Sequence, residues 1–165
     1  MDDERGHDDF RALCMAIGFV VSHTALIDQQ LDIWVNASFN NCGGRVLTDD
    51  GFVPRALGRK VTFMRKSFKQ LELLSFFATE GLALLARVTP LFKTRDDLVH
   101  GALTSFETIE GAFLFRIIGH REDVHTVREF SFDPAGFSTL ETGLGELLTE
   151  AIALSQKLGD ALLGC

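Results

Sequence analysis

The chain has 165 residues, 46% of them hydrophobic and 24% charged, with a formal charge of −7; these proportions exclude wholesale disorder, collagen-like repeats and low-complexity sequence. Such acidity argues against a protein that coats DNA or lies on an anionic membrane. A chain this long buries about 68–70% of the surface its unfolded form exposes, so a single domain over residues 1–165 needs no disulfide or metal staple.

Phe appears 15 times, Trp once and Tyr not at all, which makes the aromatic content core material. Cys14, Cys42 and Cys165 are an odd, widely spaced set without a CxxC pair. That pattern is neither a disulfide framework nor a zinc site, and it suits free thiols in a reducing cytoplasm. The opening MDDERGHDDF lacks the basic and apolar regions of a signal peptide. The longest apolar stretch, Ala12 to Ile27, is interrupted by Ser22, His23 and Thr24 and falls short of the ~20 residues a membrane span needs. The expectation is a cytoplasmic protein with no membrane contact.

Apolar residues at three- and four-residue steps predict a first helix over residues 9 to 37, with Asp8 and Asp9 suiting its positive end. Around Phe19 to Val21 the pattern is apolar on every side, as in a helix buried in a bundle or at a dimer seam. Gly43-Gly44 and Asp50-Gly51 mark residues 38 to 53 as a loop. Pro54 is placed to open a second helix ending near Lys69, with Leu57, Val61, Met64 and Phe68 on one face. Residues 70 to 101 read as a further helix that Pro90 either kinks or restarts, closed by Gly101.

The period then changes. Residues 102–107, 112–119 and 124–131 are short, rich in Phe, Ile, Val and Thr, and separated by EG and GHRED turns, which predicts a small antiparallel hairpin or meander inserted over about 102–131. A last helix is expected from Phe137 to Leu163, with Ser138 and Glu141 as its capping box. Gly143, Gly145 and Gly159 are read as points where helices come close. The fold class is mainly α, a four- or five-helix bundle with that β insertion before the last helix.

The segment Lys93-Thr94-Arg95-Asp96-Asp97-Leu98-Val99-His100-Gly101 carries the chemistry. Arg binds phosphate with forked donors and a permanent charge; His moves protons near neutral pH. The pair suits metal-free cleavage of an RNA phosphodiester. Five helical residues turn ~500°, which leaves the two side chains ~140° apart with ~7.5 Å of rise. They meet if Arg95 swings at a frayed terminus, or if a second subunit presents them across a two-fold axis. The same residues also suit a helix C-terminus with no function beyond the dipole.

RDDLVH at 95–100 resembles the Arg-polar-x-x-x-His signature of the HEPN superfamily, and the following Gly101 fits it too. The resemblance implies an all-α bundle, often dimeric, acting as a metal-independent RNase of a toxin–antitoxin or defence system, with Arg and His of two protomers in a shared cleft. It assigns catalytic roles to Arg95, Asp96 and His100. Position 96 is commonly Asn in that family; here it is Asp, and Asp97 adds a second negative charge. The resemblance further implies a homodimer, a possible antitoxin or other protein partner, no cofactor and no metal.

Residues 55 to 69 hold Arg55, Arg59, Lys60, Arg65, Lys66 and Lys69 without an acid. On a helix Arg55, Arg59, Lys66 and Lys69 share a broad stripe, read either as a solvated face or as an RNA-binding footprint. His120 and His125 flank a turn without zinc-motif spacing. His23 reads as a satisfied buried histidine. Asp28 and Asp32, one turn apart, are candidates to meet Arg95 or to form an exposed acidic face. The alternative to a ribonuclease is a non-catalytic RNA-, nucleotide- or protein-binding module.

Overall fold

The computed structural model describes residues 2–107, 112–121 and 124–163. Among them, five α-helices and three strands follow the order α1 (Asp2–Asn41), α2 (Leu57–Gln70), α3 (Glu72–Ser75), α4 (Ala78–His100), β1 (Ala102–Glu107), β2 (Ala112–Arg121), β3 (Val124–Phe132) and α5 (Pro134–Leu163), with a 3₁₀ turn at Gly44–Leu47. The protein is mainly helical, with an antiparallel sheet before the last helix. The predicted EG turn lies outside the described residues, as do Glu122 and Asp123 of the GHRED turn and Cys165.

Several boundaries differ from expectation, each for a local reason. α1 is 40 residues long and outruns residues 9 to 37 at both ends; it stops just before Gly43, whose φ of 75° is left-handed. The polar interruption at 22–24 does not break it, because Ser22 and Thr24 donate to the Gly18 and Val20 carbonyls at 2.8 and 2.7 Å. By length and composition Phe10–Asn41 is long enough to cross a membrane, so the shortness expected from sequence does not hold. One face of this helix nonetheless supplies Leu13, Val20, Leu31 and Trp34 to the core. Pro54 does not open α2. It is buried in the approach, and α2 begins at Leu57 after Ala56, whose carbonyl accepts the Lys60 N–H at 2.9 Å.

Pro90 lies inside α4, which runs on to His100 without restarting. α5 begins at Pro134, so Ser138 and Glu141 are interior residues and not a capping box. The signal that matters is Asp133-Pro134: proline suits the first helical position, and the Asp133 carbonyl accepts the Phe137 N–H at 3.1 Å. The close approaches are not at Gly143, Gly145 or Gly159, where an added Cβ would meet nothing within 4 Å. Among the described residues they are at Gly81, where it would lie 2.4 Å from the Phe68 ring, at Gly44, 2.6 Å from the Ser38 carbonyl, and at Gly101, 2.5 Å from the Asp97 carbonyl.

The sheet has the order β1-β2-β3, all antiparallel. β2 and β3 pair from Phe113↔Phe132 to Arg121↔Val124, slightly beyond the predicted strand ends. A register shift in β1 between Leu103 and Ser105 keeps Leu103 and Phe106 opposite Phe115 and Phe113.

The chain divides into two compact units: Met1–Thr24 with Leu91–Leu144, and Ala25–Pro90 with Gly145–Cys165. The first holds the sheet and the phenylalanine-rich core. Phe113 and Phe115 are buried, Phe130 stacks on Phe115 at 5.0 Å, and Phe137 sits edge-on to both Phe19 and Phe132. The opposite sheet face carries the Arg116–Glu129 ion pair at 2.7 Å and the exposed register partners Ile118 and Val127.

The second unit is helical. Trp34 is buried, donates from Nε1 to Ser155 Oγ at 2.7 Å and meets the Phe68 ring edge-on. Ser155 Oγ also lies 2.7 Å from Gln30 Oε1. Arg87 spans both oxygens of Glu150, and Glu80 takes Lys157 with both of its own, all at 2.8 Å.

Candidate functional site

The last turns of α4 carry the Arg–His segment. Leu98 is buried and anchors the turn, while Val99 and His100 are exposed. Gly101 closes the helix: its N–H donates to the Asp97 carbonyl at 2.9 Å, and a Cβ there would lie 2.5 Å from that oxygen and 3.2 Å from Phe115 Cβ. A side chain at this position would clash with the carbonyl of the helix's own last turn and press closely on Phe115 of the sheet.

Arg95 donates from Nη1 to Asp96 Oδ1 at 2.6 Å, and its Nε is buried without a partner. Its side chain is one-third exposed, at 34%. His100 has no hydrogen-bond or ion-pair partner among the described residues. The helix stays regular through His100, so Arg95 and His100 project ~140° apart on one chain and no frayed terminus brings them together. Asp97 is no loose surface charge. Arg128 on β3 grips both its oxygens, Nη1 reaching Oδ2 at 2.9 Å and Nη2 reaching Oδ1. Donating to Asp97 holds the pKa of Arg128 above its ordinary value.

The basic segment is organised differently from its sequence reading. Arg55 precedes α2 and is not on its stripe. Arg59 pairs with Asp50, whose carboxyl falls below the usual range chiefly through that bond and then through the Phe52 N–H. Lys66 reaches the Leu47 carbonyl at 3.5 Å. Arg55, Arg65 and Lys69 are exposed and have no partner among the described residues. Open clefts surround the loop before α2. One of about 470 Å³ is lined by Thr48, Gly58, Arg59, Thr62 and Lys66 among others. Another, about 460 Å³, is lined by Asp32, Asn36, Pro54, Arg55 and Lys60 among others.

Lys60 is the exception in this run. Only 3% exposed, it holds Asp28 at 2.9 Å and Asp32 at 2.8 Å. Burial pulls its pKa down, but the two aspartates together outweigh burial and leave it raised. Asp28 and Asp32 therefore serve Lys60, while Arg95 pairs with its neighbour Asp96. His23 is half-buried, stacked on Phe19 at 3.7 Å, with Nδ1 3.0 Å from the Phe19 carbonyl. His120 and His125 are register partners at the β2–β3 end. Cys14 is exposed and Cys42 half-buried. Among the described residues, no three His, Cys, Asp or Glu side chains converge as for a metal ion.

Sequence reasoning missed Lys60 and Arg128. Lys60 could have been found: it stands three residues after Leu57 and four before Met64, in the middle of the apolar arc of α2. Arg128 faces the phenylalanine side of β3 by alternation, but nothing local names Asp97 as its partner. No family model, curated protein or solved structure matches the chain.

Proposed function

We propose that this is a HEPN-like domain that cleaves RNA without a metal, as endonucleases of toxin or defence systems do, with Arg95 and His100 as the working pair. The observation that carries this reading is His100: an exposed imidazole without a hydrogen-bond or ion-pair partner among the described residues, at the end of the regular helix that also bears Arg95. In the reaction, His100 takes the proton of a ribose 2′-hydroxyl. The 2′-oxygen forms its bond to phosphorus as the bond to the 5′-oxygen breaks, and the leaving oxygen takes a proton from solvent water. Arg95 holds the phosphate and its developing charge. Because one helix sets the two side chains ~140° apart, the reading takes Arg95 from one copy and His100 from another, in a homodimer.

A second reading rests on a different observation. Asp96 already occupies Arg95, and Asp97 adds negative charge beside the phosphate position. With Arg55, Arg65 and Lys69 exposed and unpaired among the described residues, this favours a module that binds RNA, a nucleotide or an acidic protein partner without cleaving it.

The test is purified protein with a mixed RNA pool. Under the first reading His100→Ala lowers cleavage ~10²–10⁴-fold, Arg95→Lys restores little, and EDTA changes nothing. Cleavage by His100→Ala at the wild-type rate, or activity lost with chelator, overturns it. Salt-dependent binding without turnover, weakened by charge reversal at Arg55 and Lys69, establishes the second.

A further inference from the structure

The loop between α1 and α2 is tied to α2 at two points. Arg59 Nη2 donates to Asp50, and Lys66 Nζ reaches the Leu47 carbonyl at 3.5 Å. Leu47, Arg59 and Lys66 also line the open cleft of about 470 Å³, together with Thr48, Pro54 and Thr62. All of these residues lie within Ala25–Pro90, inside one compact unit. A volume of this size falls in the range of small-molecule sites.

Arg59, Thr62 and Lys66 follow one another at steps of three and four, so they share one face of α2. Arg59 and Lys66 stand about two turns, or about 10.5 Å, apart along the axis, and side chains of their length can close on one group over Thr62. α2 itself contains no Asp or Glu.

These three side chains have donors to spare. Asp50 takes one bond from a guanidinium with five donors, in a pair whose side chains are 60% and 40% exposed. Such a pair is weak, and displacing it costs a ligand no more than about fivefold in affinity. The half-buried Lys66 ammonium has a single contact, at the long limit of a hydrogen bond. Thr24, Thr142 and Thr149 each donate to the carbonyl four residues back; the exposed Thr62 hydroxyl has no partner among the described residues.

Two cations and a hydroxyl on one wall suit a group with two negative charges and several acceptor oxygens. A phosphomonoester has both, whereas a lone carboxylate leaves one cation unmatched. Leu47, Pro54 and Phe63 add an apolar part to the same lining, and Phe52, 72% exposed, lines an adjoining cleft that shares Ala56 and Arg59 with the first.

We propose that this cleft binds a small phosphomonoester with an apolar body, its phosphate held by Arg59, Thr62 and Lys66 in place of Asp50 and the Leu47 carbonyl. The site is separate from Arg95 and His100, and it stands whether or not the chain cleaves RNA. A nucleic-acid strand is the poorer occupant: Asp49 lines the cleft and Asp50 adjoins it, and both repel the phosphates that follow the first in a polymer.

Isothermal titration of the full chain with phenyl phosphate should show one saturable site with a dissociation constant of about 0.1–1 mM, as a ligand of about eleven heavy atoms gives. Inorganic phosphate, which lacks the ring, and benzoate, which lacks the second charge, should each bind about 10-fold more weakly. Arg59→Ala and Lys66→Ala should each weaken phenyl phosphate about 10-fold or more, and Thr62→Val about 3–10-fold. Asp50→Asn removes the competing carboxylate and should tighten binding about 3–5-fold. Arg65→Ala and Lys69→Ala, cations of the same helix outside the cleft, should leave binding nearly unchanged, as should His100→Ala. Amide shifts on binding should centre on residues 47–50 and 57–66.

A titration without saturation up to about 10 mM, losses in Arg65→Ala and Lys69→Ala equal to those in Arg59→Ala and Lys66→Ala, or benzoate as tight as phenyl phosphate overturns the proposal. RNA that displaces phenyl phosphate at micromolar concentration assigns the cleft to a polymer and overturns it as well. His100→Ala that loses RNA cleavage yet binds phenyl phosphate like wild type upholds the cleft as a separate site; weakened binding in that variant overturns the separation.

Discussion

Arg128 holds both carboxylate oxygens of Asp97, so the third strand of the sheet clamps the helix turn between Arg95 and His100. Fork-to-carboxylate pairing fixes direction as well as distance. Removing the clamp should loosen that turn before it affects the fold. Arg128→Ala is expected to speed amide exchange at residues 97 to 101, including the Gly101 N–H bonded to Asp97. Arg128→Lys should recover part of the protection, because one ammonium cannot bridge both oxygens in the same plane. Unchanged exchange in Arg128→Ala would show that the clamp carries no order.

The Arg95–Asp96 pair leads to a prediction of the opposite sense. Asp96→Asn removes the carboxylate that occupies Nη1 and the nearest negative charge to an incoming phosphate. RNA affinity at low salt should rise about 3–10-fold, and the gain should shrink as salt screens it. Fluorescence anisotropy with labelled RNA reads this directly. Equal or weaker binding by the variant would mean that Arg95 is not a phosphate contact.

Lys60 and its aspartates should respond asymmetrically. Lys60→Met leaves two half-exposed carboxylates in water and should cost no more than about 1 kcal/mol. Asp28→Asn with Asp32→Asn leaves a buried ammonium alone and should cost about 3 kcal/mol. The pH dependence reverses with it. In the wild type the folded pKa of Lys60 is raised, so the native state keeps a proton the unfolded chain loses near pH ~10.4. The contribution is whole below that value and fades as pH rises through the raised one. In the double variant only burial remains and the folded pKa falls, so stability should climb with pH over that range. Denaturant titrations at about pH 9 and about pH 11 bracket the window; slopes of the same sign in both proteins would contradict the pairing.

Glycines separate in the same way. Gly81→Ala puts a methyl into the ring of Phe68, which is fully buried, and should destabilise the protein by about 1–3 kcal/mol. Gly143→Ala and Gly145→Ala add a methyl to open space within α5 and should each stabilise by about 0.5–1 kcal/mol. Thermal melts of the three variants distinguish the cases; a stabilised Gly81→Ala would mean that Phe68 moves freely.

What sequence disclosed was what periodicity encodes. The 3.6-residue rhythm of Leu13, Val20, Leu31 and Trp34, and the alternation that sets Phe113 and Phe115 on one sheet face, were legible because burial repeats with the backbone. Ends were less so: Ser138 and Glu141 match a capping box in spacing, yet the Asp133-Pro134 step starts the helix at Pro134, three residues before the expected Phe137. Least legible were the partnerships. Nothing within a few residues of Asp97 announces Arg128, thirty-one positions on, and Lys60 reads as one more surface cation until Asp28 and Asp32 face it. The Arg95–His100 segment was found as a motif, but its ~140° divergence acquires weight only once the helix proves regular to its last residue.

The bond from Trp34 to Ser155 has a spectroscopic consequence. The chain contains one tryptophan and no tyrosine, and that indole is buried in the unit formed by Ala25–Pro90 and Gly145–Cys165. Near-ultraviolet emission therefore watches one unit and is blind to the phenylalanine-packed other. Ellipticity near 222 nm sees both. If the units melt apart, the two optical traces will part company, and emission alone will report a cooperative transition for a molecule that is only half undone.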